Sequence, residues 1–337
     1  MISHAFHTWE RRLASIDTTR LVRPFEWGLD WLGLPQDPDP LVAVKNWSGE
    51  ALADSHRFYT APPTTDYDLS ADDVLRFPSA IDTPYAVNNI VVARVFRPEA
   101  PRRSGARRAV IVLPQWNANA HGHVGLCRLF ARFGLTAVRL SLPYHDERRP
   151  AELARAEYIV SANVGRTLRA NQQAVLDVRR VADWLSAEGF ERIGIMGTSL
   201  GSCLAMLAMA HEPRLRAGAF NHISPFFADV VWEGLSTEHV RAGLDPHITL
   251  ADLRDCWMPI SPWPFIDGVR GRDVLLVYAR YDLTFPVHLS REFLAEFARR
   301  GVPHETAVLP CGHYTTGKAP FKYLDGYALT RFLVGKL

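Results

Sequence analysis

The 337-residue sequence predicts an α/β fold with a mostly parallel central sheet flanked by helices, and three observations carry that prediction. From about residue 73, short apolar runs alternate with longer stretches of helical periodicity, the trace left by parallel strands and their crossover helices. One junction of this kind holds Gly197-Thr198-Ser199-Leu200-Gly201, with an apolar run before it and a helical pattern after it. The alternation breaks off once, over residues 226 to 268, and then resumes; a segment so long and so rich in aromatics and proline reads as an inserted cap.

Residues 1 to 70 lack the alternation, and their aromatic residues (Trp9, Phe25, Trp27, Trp31, Trp47) predict a helical extension packed against a main unit at 71 to 337. In that unit "VNNIVVARVF" (87 to 96) and "RRAVIVLP" (107 to 114) read as strands, separated by the turn-prone, basic "RPEAPRRSGA". "HVGLCRLFARFG" is a helix closed by Gly134, and "LTAVRLSLP" the next strand. Leu168, Val175, Val178, Val181 and Leu185 fall near helical spacing and mark a long amphipathic helix ending at Gly189. The strand "RIGIMG", the helix "LGSCLAMLAMAHE" and the strand "AGAFNHIS" lead to the cap. After it come the strand "DVLLVYARYD", the helix "HLSREFLAEFARRG", the strand "HETAVLP" and a closing helix "FKYLDGYALTRFLVG". There is no internal repeat and no low-complexity segment.

Composition narrows the function. The chain carries 38 basic and 36 acidic residues, a formal charge of +2, which leaves no broad attraction for nucleic acid. All but four basic residues are arginine, scattered along the chain rather than clustered, so the acyl group of a substrate is expected to be apolar or neutral. Cys127, Cys203, Cys256 and Cys311 lack metal-ligand spacing and are expected to be free thiols. No window of about 18 apolar residues and no cleavable leader pattern occur, so no membrane span and a cytoplasmic location are expected.

The chemistry centres on Ser199. Two glycines flanking a serine between strand and helix imply a tight turn that lifts the hydroxyl clear of the sheet, the nucleophile elbow. A serine hydroxyl is a weak nucleophile at neutral pH and needs a base within hydrogen-bond reach. On these residues the chain, from about 73 to 337, resembles the α/β-hydrolase superfamily of serine hydrolases, on its esterase, dienelactone-hydrolase and acyl-peptidase side. The resemblance implies the order serine, acid, histidine. Asp282 in "LLVYARYDLTFP" and His313 in "AVLPCGHYTTG" fill the last two places, with Asp229 and Asp325 as competing acids. It also implies an oxyanion hole formed by the backbone N–H of Leu200 and one from the loop after "AVIVLP". There Pro114-Gln115-Trp116 replaces the His-Gly-x of many relatives, which assigns Trp116, with Gln115 in reserve.

Other candidates read as structural. His121 and His123, two residues apart, would point to different sides of a helix and have no supporting carboxylate, so no metal is expected. His222, His288 and His304 lack a turn signature and are assigned to packing or solvent, and Cys311 to packing beside His313. Tyr144, Phe226, Phe227, Trp232, Trp263 and Tyr314 are the expected substrate-binding wall, with His145 a further possibility. The function implied is hydrolysis of a small-molecule carboxylic ester through an acyl-enzyme, without metal or cofactor. An amidase, peptidase or thioesterase using the same residues is the alternative, and a non-catalytic ligand-binding member of the fold a more distant one.

Overall fold

The computed structural model describes residues 2–99 and 105–337; residues 100–104, in the basic turn expected between the first two strands, lie outside the described residues. Nine strands form one sheet: β1 (Asp68–Leu69), β2 (Val74–Pro78), β3 (Ile90–Phe96), β4 (Arg108–Leu113), β5 (Thr136–Leu140), β6 (Arg192–Thr198), β7 (Leu215–Asn221), β8 (Asp273–Ala279) and β9 (Glu305–Leu309). Their order is β1-β2-β3-β5-β4-β6-β7-β8-β9. From β5 through β9 along this order every neighbour is parallel, whereas β1 to β3 pair antiparallel and β3 joins β5 antiparallel. The antiparallel edge was not expected from the sequence. β2 is five residues long, has Arg76 at its centre and ends in proline, so it carries too little apolar alternation to read as a strand by itself.

The helices are α1 (Ile2–Ala14), α2 (Pro40–Ala53), α3 (Ser55–Phe58), α4 (Val124–Arg132), α5 (Val164–Ala187), α6 (Leu200–His211), α7 (Phe227–Glu233), α8 (Glu238–Leu244), α9 (Leu250–Cys256), α10 (Val287–Arg299) and α11 (Phe321–Lys336). Helices cover both faces of the sheet, which is why β4 is buried along its whole length and reads as a continuous apolar run. One core layer gathers Ile111, Val178, Leu204 and Phe220; the other gathers Val110, Phe130, Leu329 and Leu333 from β4, α4 and α11. Gly134 and Gly189 close α4 and α5 with φ of 80° and 79°, the left-handed conformation glycine adopts without strain.

The segment 226 to 268 folds into α7, α8, α9 and two 3-10 turns, and the first 58 residues are largely helical. The two are tied together. Ser48 Oγ donates to the Cys256 carbonyl at 2.6 Å, Tyr59 Oη to Pro259 O at 2.8 Å, and Lys45 Nζ sits 2.7 Å from Asp252 and 2.9 Å from Asp255. α1 lies elsewhere, its Phe6 ring stacked on Tyr281 at 4.6 Å.

A buried ion pair fixes the segment that follows β5. Arg148 Nη1 lies 2.9 Å from Asp177 Oδ2 of α5, both side chains fully buried, and the same guanidinium donates to Ser141 O and Asn88 O. Burial raises the Asp177 pKa even with Arg148 beside it. Removing the cation leaves an uncompensated carboxylate in the core, so Arg148→Met is expected to lower the unfolding free energy by about 3–5 kcal/mol, read from urea denaturation.

Candidate active site

The turn at the end of β6 has the geometry its two glycines imply. Ser199 has φ 58° and ψ −123°, a conformation costly for a residue with a side chain, and its N–H donates to Asn221 O at 2.8 Å. A Cβ on Gly197 would stand 1.9 Å from Gly201 O, and one on Gly201 would stand 2.4 Å from Leu113 O and 2.5 Å from Pro114 O. Any larger residue at either position would push the strand, the helix or the end of β4 apart. α6 starts at Leu200, so its first N–H groups and the positive end of its dipole face the space above Ser199.

Ser199 Oγ lies 3.0 Å from His313 Nε2, and His313 Nδ1 lies 2.9 Å from Asp282 Oδ2. Asp282 stands in the loop after β8 and His313 in the loop after β9, so neighbouring strand ends bring together residues distant in sequence. The other carboxylate oxygen, Oδ1, accepts the backbone N–H groups of Thr284 at 2.8 Å and Phe285 at 2.7 Å. A second imidazole, His222 Nδ1, reaches the same Oδ2 at 2.7 Å. Burial alone would raise the Asp282 pKa, but the adjacent His313 charge and the hydrogen bonds from both imidazoles hold it well below the usual carboxylate range. His313 is drawn the other way: burial lowers its pKa, and the Asp282 carboxylate outweighs burial and raises it. His222 is lowered, by burial first and by His313 second, so it stays neutral and donates through Nδ1–H.

His222 was assigned to packing or solvent and instead belongs to this network. Its position directly after β7, beside the elbow, with φ 58°, is the feature that marks it. These three side chains are the one group among the described residues whose His, Cys, Asp or Glu ligand atoms lie within 4.8 Å of one another. Both Nδ1 atoms already lie at hydrogen-bond distance from a single carboxylate oxygen, the arrangement of a proton-sharing set. The competing acids are engaged by other partners. Asp229 is bound by Arg254 through two hydrogen bonds, and Asp325 accepts from Asn221 at 3.1 Å, with burial pushing its pKa up to about 7. Cys311 is buried against Thr316, its thiol pushed up to about 12 by burial.

The loop after β4 is held by the segment Leu142–Ala156. Trp116 Nε1 donates to Ala156 O at 2.7 Å, Asn117 N–H to His145 Nε2 at 3.0 Å, and Ala156 N–H to Asn117 Oδ1 at 2.8 Å. With the Asn117 N–H engaged and no protein acceptor at the Trp116 N–H among the described residues, Trp116 keeps a free backbone donor in this loop. His145, a possible wall residue, is buried, and burial pushes its pKa down to about 4. It acts as a neutral acceptor that shapes the loop.

α1 reaches into the site. Glu10, fully buried, accepts the backbone N–H groups of Tyr314 at 2.9 Å and Thr315 at 2.8 Å, the residues directly after His313. Gly312 leaves the room this requires, since a Cβ there would meet the Glu10 carboxyl carbon at 2.4 Å. Glu10 also adds a negative charge that raises the His313 pKa. Nothing in the local sequence around Glu10 marks it, because its partners lie some three hundred residues away.

A cavity of about 1030 Å³ opens on Ser199. Gln115, Trp116, Leu200, His222, Phe227, His313 and Tyr314 line it. Four residues expected in the wall are not in its lining. Tyr144 is fully buried among Tyr85 and Tyr158, Phe226 and Trp263 pack on each other at 5.0 Å, and Trp232 faces a shallow groove beside His247. Aromatic content alone does not separate rings that pack on one another from rings that face a ligand. His121 and His123 both line the cavity, His121 from an exposed position and His123 with its Nε2 2.9 Å from Thr198 Oγ1 and its pKa pushed down to about 4 by burial. The cavity is not purely neutral, since Asp17, Arg155, Lys322 and Asp325 also line it.

No protein-family model and no curated protein sequence matches the chain. Solved structures do. The acylaminoacyl peptidase of Pyrococcus horikoshii is similar at a TM-score of 0.61 and 16% identity, over 80% of this chain and 42% of its own length. This chain therefore spans well under half of that peptidase. Acetyl xylan esterase 1 of a Thermoanaerobacterium species gives a TM-score of 0.60 at 15% identity, over 96% of this chain and 98% of its own. An acetyl xylan esterase of a Paenibacillus species gives 0.61 at 16%, over 90% and 97%. The likeness establishes the architecture: the chain has the α/β-hydrolase fold. Among the described residues no helix is long and apolar enough to cross a membrane.

The Glu10 geometry yields a test. A raised His313 pKa means that free imidazole is lost as pH falls through it, so neutralising Glu10 should move that loss to lower pH. Glu10→Gln is expected to shift the acid limb of the kcat/KM–pH profile downward and lower its plateau about tenfold. Glu10→Asp should recover part of both. A plateau loss with an unmoved acid limb would limit Glu10 to holding the loop.

Proposed function

We propose that the protein is a serine hydrolase that cleaves a small-molecule carboxylic ester through an acyl-enzyme, with Ser199 as nucleophile, His313 as general base and acid, and Asp282 as the acid that orients it. The observation that carries this reading is the unbroken hydrogen-bond relay of 3.0 Å and 2.9 Å ending on a serine held in a strained, projecting conformation. Ser199 Oγ attacks the carbonyl carbon while His313 Nε2 takes the hydroxyl proton, giving a tetrahedral intermediate and an imidazolium that Asp282 stabilises. The oxyanion is met by the N–H groups of Leu200 and Trp116, with Gln115 the other candidate; one such donor is worth on the order of 3 kcal/mol of barrier. His313 then delivers its proton to the leaving oxygen. Water, deprotonated by the same imidazole, releases the acid and restores Ser199. His222 holds the shared carboxylate oxygen in place and keeps Asp282 ionised, so that His313 receives the positive charge.

The preference for an ester over an amide draws support from the structural likeness: the esterases match over nearly the full length of both chains, the peptidase over less than half of its own. An amidase or peptidase would use the same residues and differ in how well His313 protonates a nitrogen. Purified protein is expected to hydrolyse short p-nitrophenyl esters much faster than the matched anilides, and Ser199→Ala to lose on the order of 10⁴-fold or more in kcat while unfolding at the same urea concentration. Faster anilide cleavage would turn the assignment to an amidase. Full activity in the serine variant would remove Ser199 from the mechanism.

A further inference from the structure

Arg155 is a charged side chain built into the wall of the cavity that holds Ser199, and the proposed hydrolysis gives it no part. Its side chain is 6% exposed. Among the described residues its one ion-pair partner is Asp17, whose Oδ2 lies 3.0 Å from Nη1, but neither Nη1 nor Nε makes an aligned hydrogen bond there. The guanidinium lies 4.8 Å from the centre of the Trp116 ring, the side chain of the residue assigned as an oxyanion donor. Arg20 stands alongside, its Nη1 donating to Leu235 O at 3.2 Å, its Nη2 to Tyr314 Oη at 2.9 Å, and its buried Nε unbonded, 3.6 Å from the same Asp17 oxygen. His239, stacked on Trp116 at 5.8 Å, is buried with neither ring nitrogen hydrogen-bonded.

The charges around this corner do not balance. Arg20, Arg23 and Arg155 face Asp17 and Glu157, and Glu157 is taken up by Arg23, which donates to it through Nε at 2.7 Å and also through Nη2. That leaves two guanidinium groups sharing the Asp17 carboxylate, which Thr19 already engages through its N–H and hydroxyl. Burial depresses the Arg155 pKa, and Asp17 and Glu157 do not restore it, the sign of a cation short of negative charge. A buried guanidinium in a cavity wall is satisfied most fully by a planar carboxylate, which accepts two parallel N–H groups.

We propose that Arg155, with Arg20 adding positive charge beside it, forms an anion subsite in the Ser199 cavity, and that the preferred substrate is an ester bearing a free carboxylate remote from the scissile bond. Asp17 is paired with the guanidinium in the free protein and competes with the substrate's carboxylate for it. The expectation of a neutral acyl group rested on arginines being scattered in sequence, whereas Arg20 and Arg155 are brought together only by folding; a carboxylate on the acyl side would replace that expectation. The inference rests on the hydrolase reading.

The test compares kcat/KM for monoethyl adipate with ethyl hexanoate, carboxylate on the acyl side, and for 6-acetoxyhexanoate with hexyl acetate, carboxylate on the alcohol side. Each pair is followed by pH-stat titration in the wild-type protein, Arg155→Met and Asp17→Asn. A charge-assisted hydrogen bond to a buried group predicts that the carboxylate member of at least one pair is preferred about tenfold or more. Arg155→Met should lower that ratio about tenfold, and Asp17→Asn should raise it. Equal rates within both pairs of the wild type, or a preference that survives Arg155→Met, would overturn the subsite. Turnover of the two uncharged esters reports the hydrolase reading on its own. If all four esters are left intact and a fluorophosphonate leaves Ser199 unmodified, it is that reading which fails. Because Arg155 also packs on Trp116, calorimetric binding of monoethyl adipate to the Ser199→Ala protein supplies a second measurement. Binding should weaken at least about tenfold when Arg155→Met is added, and unchanged affinity would again overturn the proposal.

Discussion

The active-site corner depends on one buried carboxylate. Asp282 accepts four hydrogen bonds, two from backbone N–H groups in its own loop and two from imidazoles on other strand ends. Taking an ionised carboxylate out of water costs several kcal/mol, and only a nearly complete set of donors offsets that cost. The set fixes β7, β8 and the loop after β9 relative to one another, because each supplies at least one donor. It also separates the two histidines: His222, fully enclosed, remains neutral, and in the proposed mechanism the positive charge falls on His313, the imidazole in contact with Ser199.

Around that corner the first twenty residues act as part of the site's wall. Glu10 pins the loop that carries His313, and Asp17 reaches the cavity beside Arg155. α2, by contrast, braces the helices inserted after β7. The elbow is held from the opposite side, where Gly201 packs against the end of β4 and the loop leaving that strand is stapled to Ala156. Arg155 is the immediate neighbour of that staple, so the same segment that shapes the loop after β4 also delivers a charge to the cavity.

The sequence made legible what is local or periodic. Apolar runs buried on both faces mark the parallel strands, glycine in the left-handed region marks the ends of α4 and α5, and two glycines around Ser199 mark a turn into which no side chain fits. Loops at successive strand ends pointed to Asp282 and His313, and the structure places those side chains against each other and against Ser199. What was not legible depends on distance along the chain. Glu10 meets residues three hundred positions away, Arg155 and Arg20 become neighbours only through folding, and His222 carries no motif beyond its place after a strand. The ring of aromatics expected around the substrate misled for a related reason. Phe226 and Trp263 satisfy each other, Tyr144 sits among tyrosines, and composition cannot tell such pairs from rings that await a ligand.

The central claim is that this folded arrangement makes one serine nucleophilic. Its most direct measurement is the intact mass of the native protein after exposure to a fluorophosphonate, with peptide mapping of the adduct and its rate followed against pH. A single adduct is expected on Ser199, forming more slowly as pH falls through the raised His313 pKa and nearly abolished in His313→Gln. A folded protein that takes up no label, or takes it up on another residue, would contradict it.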